Sequence, residues 1–144
     1  MRLQTGWYSA EEFFIVKPLH NKCRQSLVME ASYYGFGRWN ISMGIFSSNV
    51  TYHSLKLSPA WQTPTSTNKN PSMNVLFIAL EALNEIEQEI HAFANGKKAL
   101  IYIDGLDARR LRTYIKILTK KYGYKKSSVK SDFVYGMPLI YKKV

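Results

Sequence analysis

The sequence holds a single cysteine among its 144 residues, Cys23, so no disulfide can form within the chain. It also lacks a long apolar run. The longest, residues 75–83, contains Glu81 and is far shorter than the roughly 20 apolar residues that cross a bilayer. Residues 1–4 carry no apolar signal-peptide core. We therefore expect a cytoplasmic protein from a reducing compartment, with no membrane partner.

Acidic residues are scarce in the last third of the chain. Residues 1–96 hold seven Lys or Arg and seven Asp or Glu, whereas residues 97–144 hold thirteen Lys or Arg and three Asp. The whole formal net charge of +10 therefore belongs to residues 97–144. Such an imbalance favours an anionic partner, either nucleic acid, a phosphate-bearing cofactor or an acidic protein. The simpler interpretation is a solvated basic surface that has no partner.

Metal-ligand spacings and nucleotide-binding glycine motifs are missing as well. His20 and Cys23 are three residues apart, but His53 and His91 are distant and complete no four-ligand spacing, so no metal is expected. The run Gly35-Phe36-Gly37 is too short for a dinucleotide fingerprint. We interpret it as a turn or a bulge.

What the chain does contain are the patterns of one α+β domain spanning residues 1–144. Residues 2–8 favour a short strand. Ser9 with Glu12 three residues later has the spacing of a capping box, so we expect two short helices before residue 28, with Pro18 as the break. Residues 38–57 alternate with period two and predict an antiparallel hairpin whose partner face helices cover.

The second half of the chain has stronger local signals. Residues 58–72 are rich in Pro, Ser, Thr and Asn and predict a loop. Apolar residues at helical spacing then predict a long helix from Met73 to a stop at Asn95-Gly96. Residues 99–103 predict a buried strand and residues 107–122 a basic helix that ends at Gly123. Residues 133–135 and 139–144 predict one or two final strands.

Residues 99–143 resemble the GCN5-related N-acetyltransferase (GNAT) family. The segments that carry the resemblance are Ile101-Tyr102-Ile103, Tyr122-Gly123-Tyr124-Lys125 and residues 139–143. They are similar to the family's fifth strand, the Gly-Phe end of its fourth helix, and its final strand. The order of the other elements also agrees. This resemblance implies a GNAT-like α+β fold, in which helices flank a mixed, mainly antiparallel sheet.

The resemblance also implies a cofactor site and a catalytic residue. In the family, the pyrophosphate of acetyl-CoA binds backbone N–H groups of a glycine-rich loop at the start of the long helix. The matching residues 65–74 contain no glycine. The candidate donors there are Thr67, Asn68, Lys69, Asn70, Ser72 and Asn74. The family's general-acid tyrosine falls at Thr119, and Tyr114 is the nearest candidate, with a core tyrosine as the other interpretation.

Three functions follow from these observations. The first is an acetyl-CoA-dependent N-acetyltransferase, in which an amine attacks the bound acetyl group directly. The second is a non-catalytic structural or inhibitory protein that docks on an acidic partner, since small phage virion proteins are similar to GNAT domains without the glycine-rich loop.

The third function is a basic nucleic-acid-binding module. Its phosphate-binding candidates share the outer face of the basic helix and are Arg109, Arg110, Arg112, Lys116 and Lys120. Its base-stacking candidates, which are equally consistent with a core, are Tyr33, Tyr34, Phe36 and Trp39.

Overall fold

A computed structural model describes residues 2–55, 58–59, 73–104, 108–132 and 134–144. Within these residues the chain is α+β, as the sequence predicts. The elements are β1 (Gly6–Ser9), β2 (Glu12–Pro18), β3 (Gln25–Gly35), β4 (Arg38–Ser47), a 3-10 helix (Tyr52–Ser54), β5 (Ser58–Pro59), α1 (Met73–Ala94), β6 (Leu100–Ile103), α2 (Ala108–Lys121), β7 (Lys125–Lys130) and β8 (Pro138–Lys143).

The described strands form one mixed, mainly antiparallel sheet in the order β1-β2-β3-β4-β6-β8-β7. The parallel pair is β4 and β6, where Arg38, Trp39 and Asn40 lie opposite Leu100, Ile101 and Tyr102. A crossover through α1 joins these two strands, as parallel pairing requires. Farther along β4, the two-residue strand β5 pairs with Ser42 and Met43.

The prediction of two short helices before residue 28 is wrong, because β2 and β3 occupy that segment. Ser9 lies opposite Glu12 in a β1–β2 hairpin, and its hydroxyl accepts a hydrogen bond from the Glu11 N–H in the turn. Phe13 and Phe14 are both buried, on opposite faces of the sheet. The run is therefore apolar throughout and hides the period of two that marks a strand.

The hairpin predicted over residues 38–57 is half right. Residues 38–47 form β4, but its antiparallel partner is β3, and Gly35-Phe36-Gly37 makes the turn between them with positive φ angles. After β4, Val50 packs into a small apolar cluster and the 3-10 helix follows. Residues 56 and 57 lie outside the described residues.

The elements from α1 onward largely confirm their predictions. Helix α1 ends where Asn95 and Gly96 take positive φ, and α2 ends just before Gly123, which also has positive φ. Strand β7 was not predicted, because its sequence, KKSSVK, is polar and lies at the sheet edge. The strand predicted at residues 133–135 is not found: Val134 and Tyr135 lie in a turn, and Phe133 is outside the described residues.

The two faces of the sheet are covered differently. On what we call the helical face, α1 and α2 pack through Leu83, Ile86 and Leu118 against buried residues that include Trp39 and Ile101. The opposite face of β1–β4 is covered by a smaller cluster of Leu3, Phe14, Val28 and Val50. Over β6, β8 and β7, no helix of the described residues covers that opposite face. The prediction of flanking helices is thus correct for one face.

Candidate nucleic-acid interface

The side of β6, β8 and β7 that no described helix covers, which we call the open face, begins with a row of side chains that the sheet register brings side by side. Asn40 of β4 lies opposite Tyr102 of β6, Tyr102 opposite Tyr141 of β8, and Tyr141 opposite Lys125 of β7. Residues directly opposite each other point to the same face. Ile101 and Ile103 point to the helical face and are buried, so Tyr102 between them points away from the core.

The centre of this row is a stack of planar groups. The rings of Tyr102 and Tyr141 have centroids 5.7 Å apart and an interplanar angle of 22°. The Arg38 guanidinium lies 4.4 Å from the centroid of the Tyr102 ring, and its Nε donates a hydrogen bond of 2.9 Å to Asn40 Oδ1. Neighbours on β4 and β8 thus flank Tyr102, and Asn40 orients the guanidinium over the ring.

Lysines surround the tyrosines. A surface cavity of about 630 Å³ is lined by Leu100, Tyr102, Gly123, Ser127, Ser128, Tyr141, Lys98, Lys125, Lys126, Lys142 and Lys143. No carboxylate is among these lining residues. Lys98, Lys125, Lys126 and Lys143 are exposed, and Lys142 pairs with Glu87 from the helical side. A cavity with cations and aromatic rings but without anions suits a negatively charged, planar ligand.

The predicted phosphate-binding helix lies on the other side of the molecule. Helix α2 packs on the helical face through Leu118, and Arg112, Lys116 and Lys120 are exposed. The side chains of Arg109 and Arg110 lie outside the described residues. The positive charge of residues 97–144 is therefore divided between two surfaces, one on each side of the sheet.

On the same side of the sheet but outside the open face, β2 and β3 carry the two carboxyls Glu12 and Glu30. Burial, and secondarily the neighbouring carboxyl of Glu12, raises the pKa of Glu30 to about 7. The Tyr52 hydroxyl donates to Glu12 at 3.1 Å, and Glu12 raises the pKa of that hydroxyl. Glu12 and Glu30 thus lie at the β2–β3 end of the sheet, whereas Asp104 follows the last residue of β6 and its Oδ2 accepts a hydrogen bond of 3.2 Å from the Asp132 N–H.

The predicted stacking aromatics are separated by the fold. Trp39 is only 2 % exposed, and Tyr33 is half-buried with its hydroxyl accepting from the Gly37 N–H. Tyr34 is 66 % exposed and its ring centroid lies 6.0 Å from the Arg38 guanidinium, so this predicted aromatic does border the Arg38–Tyr102 stack. Phe36 is fully exposed at the tip of the β3–β4 hairpin. A second cavity, of about 610 Å³, is lined by aromatic residues, two lysines and one carboxylate, which are Tyr33, Trp39, Phe93, Lys97, Lys98 and Glu11.

The predicted acetyl-CoA residues Thr67, Asn68, Lys69, Asn70 and Ser72 lie outside the described residues. Asn74 is in the first turn of α1, and its side chain is not among those described. Beyond Asn40, the edge of β4 that faces away from β3 pairs with β5 of the same chain.

The catalytic candidate Tyr114 is half-buried and packs against the main core. The Thr119 hydroxyl, at the position of the family's tyrosine, donates to the Ile115 carbonyl of its own helix. Among the described residues, no three His, Cys, Asp or Glu side chains come together as metal ligands. Cys23 is exposed.

Arg38, Tyr102 and Tyr141 were not identified as site residues from the sequence. The signal was present, because Tyr102 alternates with Ile101 and Ile103. The continuous apolar run of residues 99–103 nevertheless predicts a buried strand, and which of its faces the described helices cover depends on the assembled sheet.

No helix in the described part of the chain is long and apolar enough to cross a membrane. Comparison of the chain with protein-family models, with curated proteins and with solved structures finds no match.

Proposed function

We propose that this protein is a nucleic-acid-binding module whose interface is the open face of the sheet. The observation that carries the proposal is the cavity of about 630 Å³, whose lining joins the Tyr102–Tyr141 pair to the exposed Lys98, Lys125, Lys126 and Lys143 and includes no carboxylate. Lysines that neutralise phosphates release counterions, and this supplies most of the affinity of non-specific nucleic-acid binding. The net charge of +10 adds long-range attraction.

We further propose that the sheet is a GNAT-like one that has lost its glycine-rich loop. The order from β4 onward supports this, since a long helix, a parallel strand, a basic helix and two strands follow in turn. Against the cofactor stands the pairing of β5 with β4. Acetyl-CoA-dependent transfer, with Tyr114 as its acid, therefore stays the alternative, together with docking on an acidic protein.

Two matched triple variants test the interface. Lys98→Glu, Lys125→Glu and Lys143→Glu reverse the charge of the open face, and Arg112→Glu, Lys116→Glu and Lys120→Glu do the same on α2. Both sets change the net charge equally, so any difference between them is local. We expect the open-face set to bind labelled DNA and RNA more weakly. The slope of log affinity against log salt concentration should be smaller in magnitude by about 3. The α2 set should keep most of its affinity.

The outcomes separate the candidates. Loss of binding in the α2 set alone would move the interface to the surface predicted from the sequence. Failure of the unaltered protein to bind any nucleic acid at low salt would reject the nucleic-acid proposal. Co-purification with one stoichiometric acidic protein would then favour a structural or inhibitory role.

A further inference from the structure

The open face carries more than charge, because its centre is aromatic. Binding to phosphates requires cations alone, yet the row across β6 and β8 places Tyr102 and Tyr141 between lysines. These rings are half-buried and lie outside both apolar core clusters of the protein. Packing in these two clusters therefore does not explain why two tyrosines occupy adjacent positions on a sheet face that no described helix covers.

We infer that the open face binds single-stranded nucleic acid, with unpaired bases stacking against the ends of the row formed by Arg38, Tyr102 and Tyr141. This inference rests on the proposed nucleic-acid function and names its substrate class. Aromatic rings and arginine planes on a sheet are a general platform for unpaired bases, because every base has a π face. Base stacking is sequence-tolerant, so the site distinguishes single strands from duplexes rather than one base sequence from another.

The layout of the site suits a strand and not a duplex. In a duplex the bases are already stacked on each other and present only their edges, so rings on a sheet have no base face to contact. An unpaired strand can turn its bases towards the sheet and its phosphates outwards. Lys98, Lys125 and Lys143 flank the tyrosines, where those phosphates would lie.

The path of the strand can extend beyond the tyrosines. Lys98 lines the open-face cavity and also the cavity of Tyr33, Trp39 and Phe93 near the end of α1. A strand that follows the lysines therefore passes from one cavity to the other around the start of β6. Affinity should rise with oligonucleotide length until both cavities are reached.

The experiment measures the fluorescence anisotropy of labelled homopolymeric single strands, DNA and RNA, and of a DNA duplex, across a range of salt. We expect the single strands to bind at least about tenfold more tightly than the duplex. Tyr102→Leu with Tyr141→Leu should weaken single-strand binding by about 10- to 100-fold and leave the salt slope unchanged, because no phosphate contact is lost. Equal loss for DNA and RNA is expected, since stacking does not involve the 2′-hydroxyl.

The controls separate stacking from folding. Tyr102→Phe with Tyr141→Phe keeps both rings and should bind as the unaltered protein does. Tyr135→Leu removes a fully exposed tyrosine outside the site and should have no effect. Arg38→Lys keeps the positive charge and removes the planar guanidinium, so it should weaken single-strand binding without changing the salt slope. If the Tyr102→Leu, Tyr141→Leu variant does not fold, Arg38→Lys takes its place as the test of stacking.

Two results would overturn the inference while leaving the proposed function in place. One is equal affinity for the duplex and the single strands. The other is unchanged single-strand binding by the folded Tyr102→Leu, Tyr141→Leu variant and by Arg38→Lys, although the open-face Lys→Glu set still loses affinity. Failure of the unaltered protein to bind either form at low salt would instead remove the proposed function itself.

Discussion

Lys142 Nζ lies 2.6 Å from Glu87 Oε1, and this ion pair joins strand β8 to the middle of helix α1. Glu87 is 9 % exposed, and burial raises the pKa of its carboxyl while Lys142 opposes that rise. The Lys142 ammonium also lies 5.6 Å from the centroid of the buried Tyr124 ring. The pair therefore holds the helical face together beneath the strand that carries Tyr141.

Lys142→Met should destabilise the fold at pH 7 by about 2 kcal/mol, because it leaves a buried carboxylate without its partner. Chemical denaturation measures the free energy of unfolding. Lys143→Met, at the neighbouring exposed position, should change it by less than about 0.5 kcal/mol. Adding Glu87→Gln to Lys142→Met should recover most of the loss. Equal effects of the two lysine variants would show that the ion pair contributes nothing specific.

Stability should fall as pH rises from about 4.5 to about 7, because of Glu30. The pKa of Glu30 in the folded protein lies above its unfolded value of 4.5, so the folded protein holds the proton more tightly than the unfolded chain does. The stabilisation from this proton is complete below pH 4.5 and is lost as the pH rises through about 7. The carboxyl of Glu12 faces it, and the Tyr52 hydroxyl bonds to Glu12.

Glu30→Gln should therefore be more stable than the unaltered protein at pH 8, by about 2 kcal/mol after allowance for solvent screening. Urea denaturation at pH 5 and pH 8 measures the difference. Glu11→Gln, in the exposed β1–β2 turn, is the control and should keep the original pH dependence. If Glu30→Gln shows the same fall between pH 5 and pH 8 as the unaltered protein, Glu30 is not its source.

Gly37→Ala should destabilise the junction of β4 and β6 by about 2–5 kcal/mol. The residue has φ +78°, and an added Cβ would lie 2.4 Å from the Lys98 carbonyl oxygen. The Gly37 carbonyl also accepts the Leu100 N–H at 2.7 Å. Gly35→Ala is the matched control, because its φ is also positive and a Cβ there meets no atom within 4 Å. The melting temperatures of the two variants separate the cost of the steric clash with the Lys98 carbonyl from the cost of the positive φ angle. Equal losses of melting temperature would mean that the close approach of Gly37 to Lys98 costs nothing.

Acetyl-CoA should leave the melting temperature unchanged up to millimolar concentration, because β5 pairs with the edge of β4 at Ser42 and Met43. A ligand that binds the native state must raise that temperature. Thermal unfolding with acetyl-CoA, and with desulfo-CoA as a second ligand, measures the effect. A rise of several degrees with either would restore the acetyltransferase interpretation, and Tyr114→Phe would then be assayed for loss of transfer.

The later elements could be predicted because their signals are local. In α1, apolar residues repeat at helical spacing up to Asn95-Gly96, and in α2 charged and apolar residues separate onto two sides of one helix. The segment around Phe13 and Phe14 could not be assigned correctly in the same way. Both of its faces are buried by clusters from distant parts of the chain, so alternation along the strand disappears.

The amino-acid sequence by itself determined that the net charge lies in residues 97–144, and that a strand lies within residues 99–103. Only the tertiary structure decided which of these residues form a site. Asn40, Tyr102, Lys125 and Tyr141 are separated along the chain and become neighbours through the register of four strands. Whether a sheet face is covered depends on where helices pack, and here α1 and α2 pack on the same side, so in the described part of the chain no helix lies over Tyr102 and Tyr141.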